Sequence, residues 1–305
     1  MKIIDLKNEN SDIKESYIAL GNFDGLHLAH MKIINNLIEQ SKKDNIQSSI
    51  LLFENHTLVS LSDKKHKILT SLEQKIDILK STEIDNIYIV DFNTIKNLDP
   101  NVFLNEFLKS KLKISGIFIG FDYRYGKGAK GSLNFLKSFT DKNNIYLNVE
   151  EPVKSKEETI SSTIIKSKIE KNNIFKAEEL LGRKYYIEGK IVQGKQLGTK
   201  LGFPTANIEM TQNYVLPTEG VYYTEILIDE KIYKAATSLG INYTFDEDEV
   251  KIEAHILDFN RNIYGEFVQL RFIEKIREME KFNKLSDLIN QVKTDIKVIE
   301  NKGII

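Results

Sequence analysis

"SYIALGNFDGLHLAHMKIINNLIEQ", residues 16–40, runs from a short β-rich stretch through a glycine-punctuated turn into a helix. The apolar run 16–20 stops at Gly21. Beyond the turn, Ile33, Ile34, Leu37 and Ile38 recur at helical spacing and share one face. Strand, turn and helix in that order open an α/β sheet, and such sheets bind ligands at the carboxyl ends of their strands. The turn carries Gly21, Phe23 and Asp24. His27 and His30 follow, three apart, where the helix begins. The chain has only five histidines, so the pair calls for a reason.

The same rhythm continues to about residue 150. "SSILLF" (48–53), "NIYIVDF" (86–92) and "GIFIGF" (116–121) are apolar runs of strand length. Between them, "SLEQKIDILKS" (71–81) has Ser71 as a helix cap, and "PNVFLNEFLKSKL" (100–112) has a proline at a helix start. Continuous apolar strands alternating with amphipathic helices predict a parallel sheet covered on both faces. After about residue 180 the pattern changes. "YYIEGKIVQG" (185–194), "GVYYTEILI" (220–228), "KIYKAATSL" (231–239), "KIEAHILDF" (251–259) and "EFVQLRFIEKI" (266–276) read as strands. "IDEK" (228–231) is a hairpin turn and "YTFDEDEV" (243–250) a longer acidic loop. This spacing predicts an antiparallel barrel or sandwich. "LSDLINQVKTDIKVIE" (285–300) closes it as an amphipathic helix. The expected domains are 1–178 and 179–305.

Bulk properties narrow the function classes. At 305 residues, about two domains are expected. A net charge of −1 supplies no global field for nucleic acid or anionic membrane. The absence of cysteine excludes disulfides, thiolate metal sites and a cysteine nucleophile. The apolar start "MKIIDLKNEN" is too short for a signal peptide, and no run approaches the roughly 18 apolar residues of a spanning helix. A cytoplasmic protein is the expectation.

Three readings of the histidine pair stay open on spacing alone: a phosphate site at a helix N-terminus, a metal clip completed by Asp24, or two incidental helix-start residues. In the second half, "VQGKQLGTKLGFPTANIE" (192–209) sets Gly194, Gly198 and Gly202 at four-residue intervals before Pro204, Thr205 and Asn207. Single glycines in a β domain are turns and bulges. Three in register before a hydroxyl and an amide suggest a phosphate-wrapping loop with hard ligands for Mg²⁺. It is not a Walker A loop, because no Gly-Lys-Ser/Thr follows.

"GNFDGLHLAH" resembles the GxFDGxHxGH signature of nucleotidylyltransferases. "GFDYRYGKGAKGSLNFL" (120–136) resembles the G-x-D-F-R-F-G-x-G block, and "ISSTIIKSKI" (160–169) the ISSTRIR block. Together they resemble the adenylyltransferase half of prokaryotic bifunctional riboflavin kinase/FAD synthetases. The 192–209 stretch resembles the PTAN motif of riboflavin kinases, "EAHILDFNRNIYG" (253–265) their E-x-H-(hydrophobic)₂-D-F block, and 276–296 their tail. The resemblance implies a Rossmann-like nucleotidylyltransferase domain followed by a six-stranded flavokinase barrel with a C-terminal helix.

It also implies roles. In the first domain ATP falls to Gly21, Phe23, Asp24, His27, His30, Ser161, Ser162, Thr163 and Lys166, and the flavin or nucleotide loop to Asp122, Arg124 and Gly126. In the second, Gly194, Gly198, Gly202, Pro204, Thr205 and Asn207 fall to ATP, with Thr205 and Asn207 on Mg²⁺. Glu253 is the general base, and Arg277 and Phe282 lie near the flavin. The substrates implied are ATP, riboflavin and FMN. The partners expected are small molecules only, with no nucleic acid and no membrane, and the chain a monomer or transient homo-oligomer.

Several positions depart from the pattern: Ala29 for glycine, Ile164 and Lys166 for arginines, "FENH" (53–56) for F-D-P-H, and "NYT" (242–244) for R-P-T. Two rival readings follow: a riboflavin kinase with a weak or inactive adenylyltransferase domain, and a non-catalytic flavin- or nucleotide-sensing module. A class I aminoacyl-tRNA synthetase shares a similar His-x-x-His turn, but no tRNA-binding domain is evident.

Overall fold

The structure is a computed structural model that describes residues 1–7, 13–54, 66–156, 158–194, 198, 201–243 and 248–304, with side chains of 241–243, 248 and 249 outside the description. The chain divides into two compact units, Met1–Ser162 and Thr163–Ile305.

The first unit is built on a six-stranded sheet in the order β1-β4-β3-β2-β5-β6. Its strands are β1 (Lys2–Asp5), β2 (Ser16–Ala19), β3 (Gln47–Phe53), β4 (Asn86–Val90), β5 (Ile114–Gly120) and β6 (Tyr146–Glu150). All its pairings are parallel. The helices are α1 (Leu28–Asp44), α2 (Leu72–Lys80), α3 (Phe92–Ile95), α4 (Pro100–Val102, continuing as a π-helix over Phe103–Lys111) and α5 (Leu133–Asn143).

The apolar runs are explained by burial on both faces. Ala19, Ile50, Leu52 and Phe118 pack with Ile33, Ile34, Leu37 and Ile38 of α1. Their strand neighbours Ile18, Leu20, Leu51, Ile117 and Ile119 pack with Leu104, Phe107, Leu108 and Leu136 on the other side. Successive residues of a strand point to opposite faces, so a strand buried on both sides has no polar alternation to show. Ser71 caps α2 in a reciprocal box with Gln74, as its sequence suggested. From β2 the chain builds β3 and β4 to one side and β5 and β6 to the other. The crevice expected for a ligand lies at that reversal, beyond the carboxyl ends of β2 and β5.

The second unit holds α6 (from Ser162–Glu170), α7 (Ile174–Leu181), a closed barrel and α8 (Leu285–Glu300). The barrel strands are β9 (Ile187–Val192), β10 (Ala206–Met210), β11 (Gly220–Ile228), β12 (Lys231–Tyr243), β13 (Asp248–Ile256) and β14 (Phe267–Arg277). They close in the order β10-β13-β12-β11-β14-β9, all antiparallel. A closed barrel, not a sandwich, is therefore the form taken. Its interior is filled by Tyr222, Thr224, Ile226, Ala235, Thr237, Leu239, Ile252 and Ala254, all buried.

The "IDEK" hairpin turns on Asp229 (φ 45°) and Glu230 (φ 63°), the paired positive φ values of a tight two-residue turn. The acidic loop expected over 243–250 is shorter. The β12–β13 ladder pairs as far as Tyr243 with Asp248, and residues 244–247 lie outside the described residues. On the outer face α8 covers Tyr223, Ile273 and Ile276 through Ile296 and Ile299. Helix α7 is fastened by Arg271, whose guanidinium meets Glu178 at 3.0 Å and Glu225 at 3.0 Å.

Candidate active sites

In the first unit the turn after β2 is strained. Phe23 (φ 48°) and Leu26 (φ 37°) take left-handed backbone conformations although neither is glycine, which costs roughly 1–2 kcal/mol each. Both are fully buried, and that burial helps to hold them. Segment 69–75 clamps the turn from below. The Leu69 N–H donates to Asp24 Oδ1 at 2.8 Å, the Gly25 N–H to Thr70 Oγ1 at 3.0 Å, and Lys75 Nζ to the Asn22 carbonyl at 3.2 Å. Ser162 Oγ adds a 2.7 Å bond to the Asp24 carbonyl.

Asp24 is thus buried with its carboxylate on a backbone amide. It builds the turn through the Leu69 amide. Among the described residues no group of three or more histidines and carboxylates is arranged to hold a metal ion.

His27 is the N-cap of α1, and its Nδ1 accepts the His30 N–H at 3.3 Å. In the neutral ring an accepting Nδ1 leaves the proton on Nε2, so His27 presents an N–H donor at a helix N-terminus. The His27 and His30 rings stack with centroids 3.6 Å apart, and Phe23 packs edge-on to His30 at 5.2 Å. Gly21 is half-buried beside Phe23. Ala29 sits half-buried in the first turn of α1. His56 of "FENH" lies outside the described residues; Glu54 is ion-paired to Lys7 at 2.6 Å.

The loop after β5 projects from the other side of the strand reversal. Asp122 and Arg124 do not form a buried ion pair that pins the loop: both are exposed, and no bridge joins them. The loop is held instead by its backbone. Gly126 has φ 71°, and a Cβ there would come within 3.0 Å of the Pro100 backbone. The adjacent Lys127 N–H donates to the Leu98 carbonyl at 2.7 Å. Ser161 and Ser162 are half-buried at the end of the first unit, while exposed Thr163 and half-buried Ile164 and Lys166 continue α6 in the second.

In the second unit the barrel register does the positioning. Asn207 pairs with Glu253, Glu253 with Ser238, Ser238 with Val221, and Val221 with Arg277. Directly paired residues project from the same face, so these five side chains form one row across the barrel exterior. Adjacent strands are about 4.8 Å apart, which puts Glu253 about 14 Å along the sheet from Arg277. Glu253 and Asn207 are half-buried. Among the described residues the Glu253 carboxylate, the Asn207 amide and the Thr205 hydroxyl have no side-chain partner.

Gly194 and Gly198 lie close against the motif that carries Asn207. A Cβ on Gly194 would lie 2.1 Å from the Asn207 amide, and one on Gly198 2.4 Å from the Phe203 carbonyl, so only glycine lets the loop approach so closely. The Leu201 and Phe203 N–H groups both donate to the Gly198 carbonyl. His255 holds the motif in place, with Nδ1 at 2.9 Å from the Pro204 carbonyl.

At the far end of the row, Arg277 binds Asp295 of α8 through Nε and Nη2 at 3.0–3.1 Å. Asp295 is only 3% exposed. The guanidinium also sits 5.8 Å from the Phe282 ring. The two residues that the resemblance put near the flavin therefore meet at one corner. Sequence reasoning gave no role to Asp295 or Ser238, and none to His255 beyond its place in the block with Glu253. Asp295 had a usable signal, an acid on the side of α8 that also carries Ile299.

A sequence-family model described as FAD synthetase matches residues 9–164, and one described as riboflavin kinase matches residues 181–302. The bifunctional riboflavin kinase/FMN adenylyltransferase of Listeria monocytogenes is 34% identical over 94% of this chain and 92% of its own length. That of Bacillus subtilis is 30% identical over 97% and 96%. The chain belongs to the bifunctional riboflavin kinase/FMN adenylyltransferase family. A solved Streptococcus pneumoniae structure titled a macrolide-efflux protein superposes with TM-score 0.84 at 29% identity, covering 99% of both chains. Among the described residues no helix of this chain is long and apolar enough to cross a membrane.

Proposed function

We propose that this chain phosphorylates riboflavin with ATP in its barrel unit and adenylylates the resulting FMN in its parallel-sheet unit. The functional halves are residues 1–178 and 179–305. The observation that carries the reading is the exterior row of the barrel, which sets an uncommitted carboxylate beside an uncommitted amide that Gly194 approaches closely, in the half matched as riboflavin kinase.

In the first reaction Glu253 takes the proton of the ribityl 5′-hydroxyl as its oxygen attacks the γ-phosphorus of ATP, and ADP leaves. The Arg277–Phe282 corner is where the resemblance places the flavin ring. Thr205 and Asn207 offer hard oxygen donors on the same face, so they fit Mg²⁺, which when bound neutralises charge on the phosphates. In the second reaction a phosphate oxygen of FMN attacks the α-phosphorus of ATP, and diphosphate leaves. That nucleophile is already ionised, so the unit needs donors and no base. The His27 Nε2–H and the α1 N-terminus supply them. Ser161, Ser162, Thr163 and Lys166 add hydroxyls and a charge, and Asp122 and Arg124 border the crevice. The enzyme works in the cytoplasm on small molecules, without nucleic acid, as a monomer or transient homo-oligomer.

Ala29 and Ile164 favour one second reading, a kinase whose adenylyl transfer is weak. Incubation with riboflavin and MgATP, followed by chromatographic separation of the flavins, decides between them. FAD accumulation is the expected result. FMN alone would support the second reading, and neither product would overturn both.

A further inference from the structure

Helix α8 buries Asp295 and Ile299, one turn apart on the same face. A buried carboxylate costs free energy unless donors surround it. Arg277 Nε reaches both of its oxygens at 3.1 Å, and Nη2 reaches Oδ2 at 3.0 Å. Gln291, one turn earlier in α8, donates from Nε2 to Oδ1 at 2.9 Å. Docking of the helix does not call for this arrangement. Ile296 and Ile299 already pack on Tyr223, Ile273 and Ile276, and Lys234 Nζ donates to the Glu300 carbonyl at 3.0 Å. A buried ion pair adds little net stability over apolar residues of the same shape. What a two-pronged grip on a guanidinium does supply is a fixed orientation.

The orientation matters because Arg277 ends the exterior row and sits 5.8 Å from the Phe282 ring. Its Nη1 donates to the Glu278 carbonyl at 3.0 Å. Of the five N–H donors of a guanidinium, these bonds take the Nε–H and one on each Nη, which leaves one on each Nη for a ligand among the described residues. We propose that Asp295 is a positioning residue for riboflavin. It freezes the Arg277 side chain during folding, so that the remaining N–H groups meet acceptor atoms of the flavin ring without a further loss of rotamer freedom on binding. The inference rests on the riboflavin kinase reading of the second unit, with the flavin ring at the Arg277–Phe282 corner.

The test measures riboflavin phosphorylation by the full chain in Asp295→Asn, which keeps the volume and loses the charge, and in Asp295→Leu, which suits a buried helix face. Arg277→Met is measured alone and combined with each. The expected result is a rise in the KM for riboflavin on the order of tenfold in both Asp295 variants, with kcat within about threefold and the KM for MgATP unchanged. Arg277→Met raises the same KM, and adding either Asp295 substitution to it raises the KM no further, because the two residues act as one unit. An unmoved KM for riboflavin would overturn the proposal, and so would a fall in kcat alone, which marks a helix anchor that lowers the folded fraction. Additive effects in the double variants would overturn the route through Arg277. Loss of the barrel fold in both Asp295 variants would make Asp295 a folding residue and overturn it as well. Wild-type phosphorylation, measured in the same assay, tests the underlying kinase reading separately.

Discussion

The two units place their chemistry by opposite means. In the parallel-sheet unit the site is a backbone feature: a turn with two buried left-handed residues, clamped by segment 69–75 and capped by His27. In the barrel the site is a side-chain feature: a register row on regular strands, running from Asn207 through Glu253 to Arg277. A turn fixed by many small contacts spreads its function over residues that never meet the substrate. A ladder row concentrates function in the few side chains that face outward. The first site should therefore be sensitive to indirect substitutions and the second to direct ones.

The largest expected effect lies on the row. Glu253→Gln is nearly isosteric and should lower riboflavin phosphorylation about 10³-fold, in the range for loss of a general base. FAD formation from supplied FMN should not change. If phosphorylation persists within tenfold of wild type, the row has no base at Glu253 and the contrast between the units fails on the barrel side. His27→Asn is the matching change in the first unit. Asparagine keeps a helix cap but removes the Nε2–H donor. FAD formation should fall about 10²-fold with the kinase rate intact. An equal loss in His27→Ala and His27→Asn assigns the effect to the donor; a smaller loss in asparagine assigns it to the cap.

These differences also explain what could be read from the chain. The strand–turn–helix opening, the capped α2 and the five long barrel strands were legible because their apolar periodicity is strong. The edge strands β1 and β6 were not, since most of their residues are half-exposed or exposed and no alternation marks them. Strand β10 was missed because Pro204 and three glycines precede it, so 192–209 reads as loop throughout. Asn207 and Glu253 were each legible as motif residues, but their pairing was not: register depends on which strands close the barrel.

A smaller effect tests whether the departures from the family pattern matter. Ala29 lies in the first turn of α1, where it favours the helix. Ala29→Gly should lower the stability of the first unit by about 0.5–1 kcal/mol and change the rate of FAD formation less than about threefold, since His27 and His30 keep their cap and stack. A large gain in rate would show that the methyl group obstructs the nucleotide, and would move the balance toward the kinase with a weak partner unit.

The smallest expected change is a gain. Tyr125 stands in the loop after β5, where the family block has phenylalanine. It is 5% exposed, and its hydroxyl has no hydrogen-bond partner among the described residues. Its ring packs against Phe103 and Tyr123. A buried hydroxyl left unsatisfied costs about 1 kcal/mol or more, so Tyr125→Phe should raise the melting temperature of the first unit by a few degrees, about 1 kcal/mol. The same change should act on alkaline stability. Burial pushes the Tyr125 phenol up to about 12, whereas an unfolded tyrosine ionises near ~10. The folded state holds this proton more tightly. The contribution is therefore complete below about pH 10 and is lost as the pH rises through about 12. In Tyr125→Phe the decline above pH ~10 should be shallower in the first unit and unaltered in the barrel, where Tyr223 is likewise pushed up to about 12 by burial. A lower melting temperature in the variant would mean that the hydroxyl does have a partner, and that the loop after β5 is held by more than its backbone.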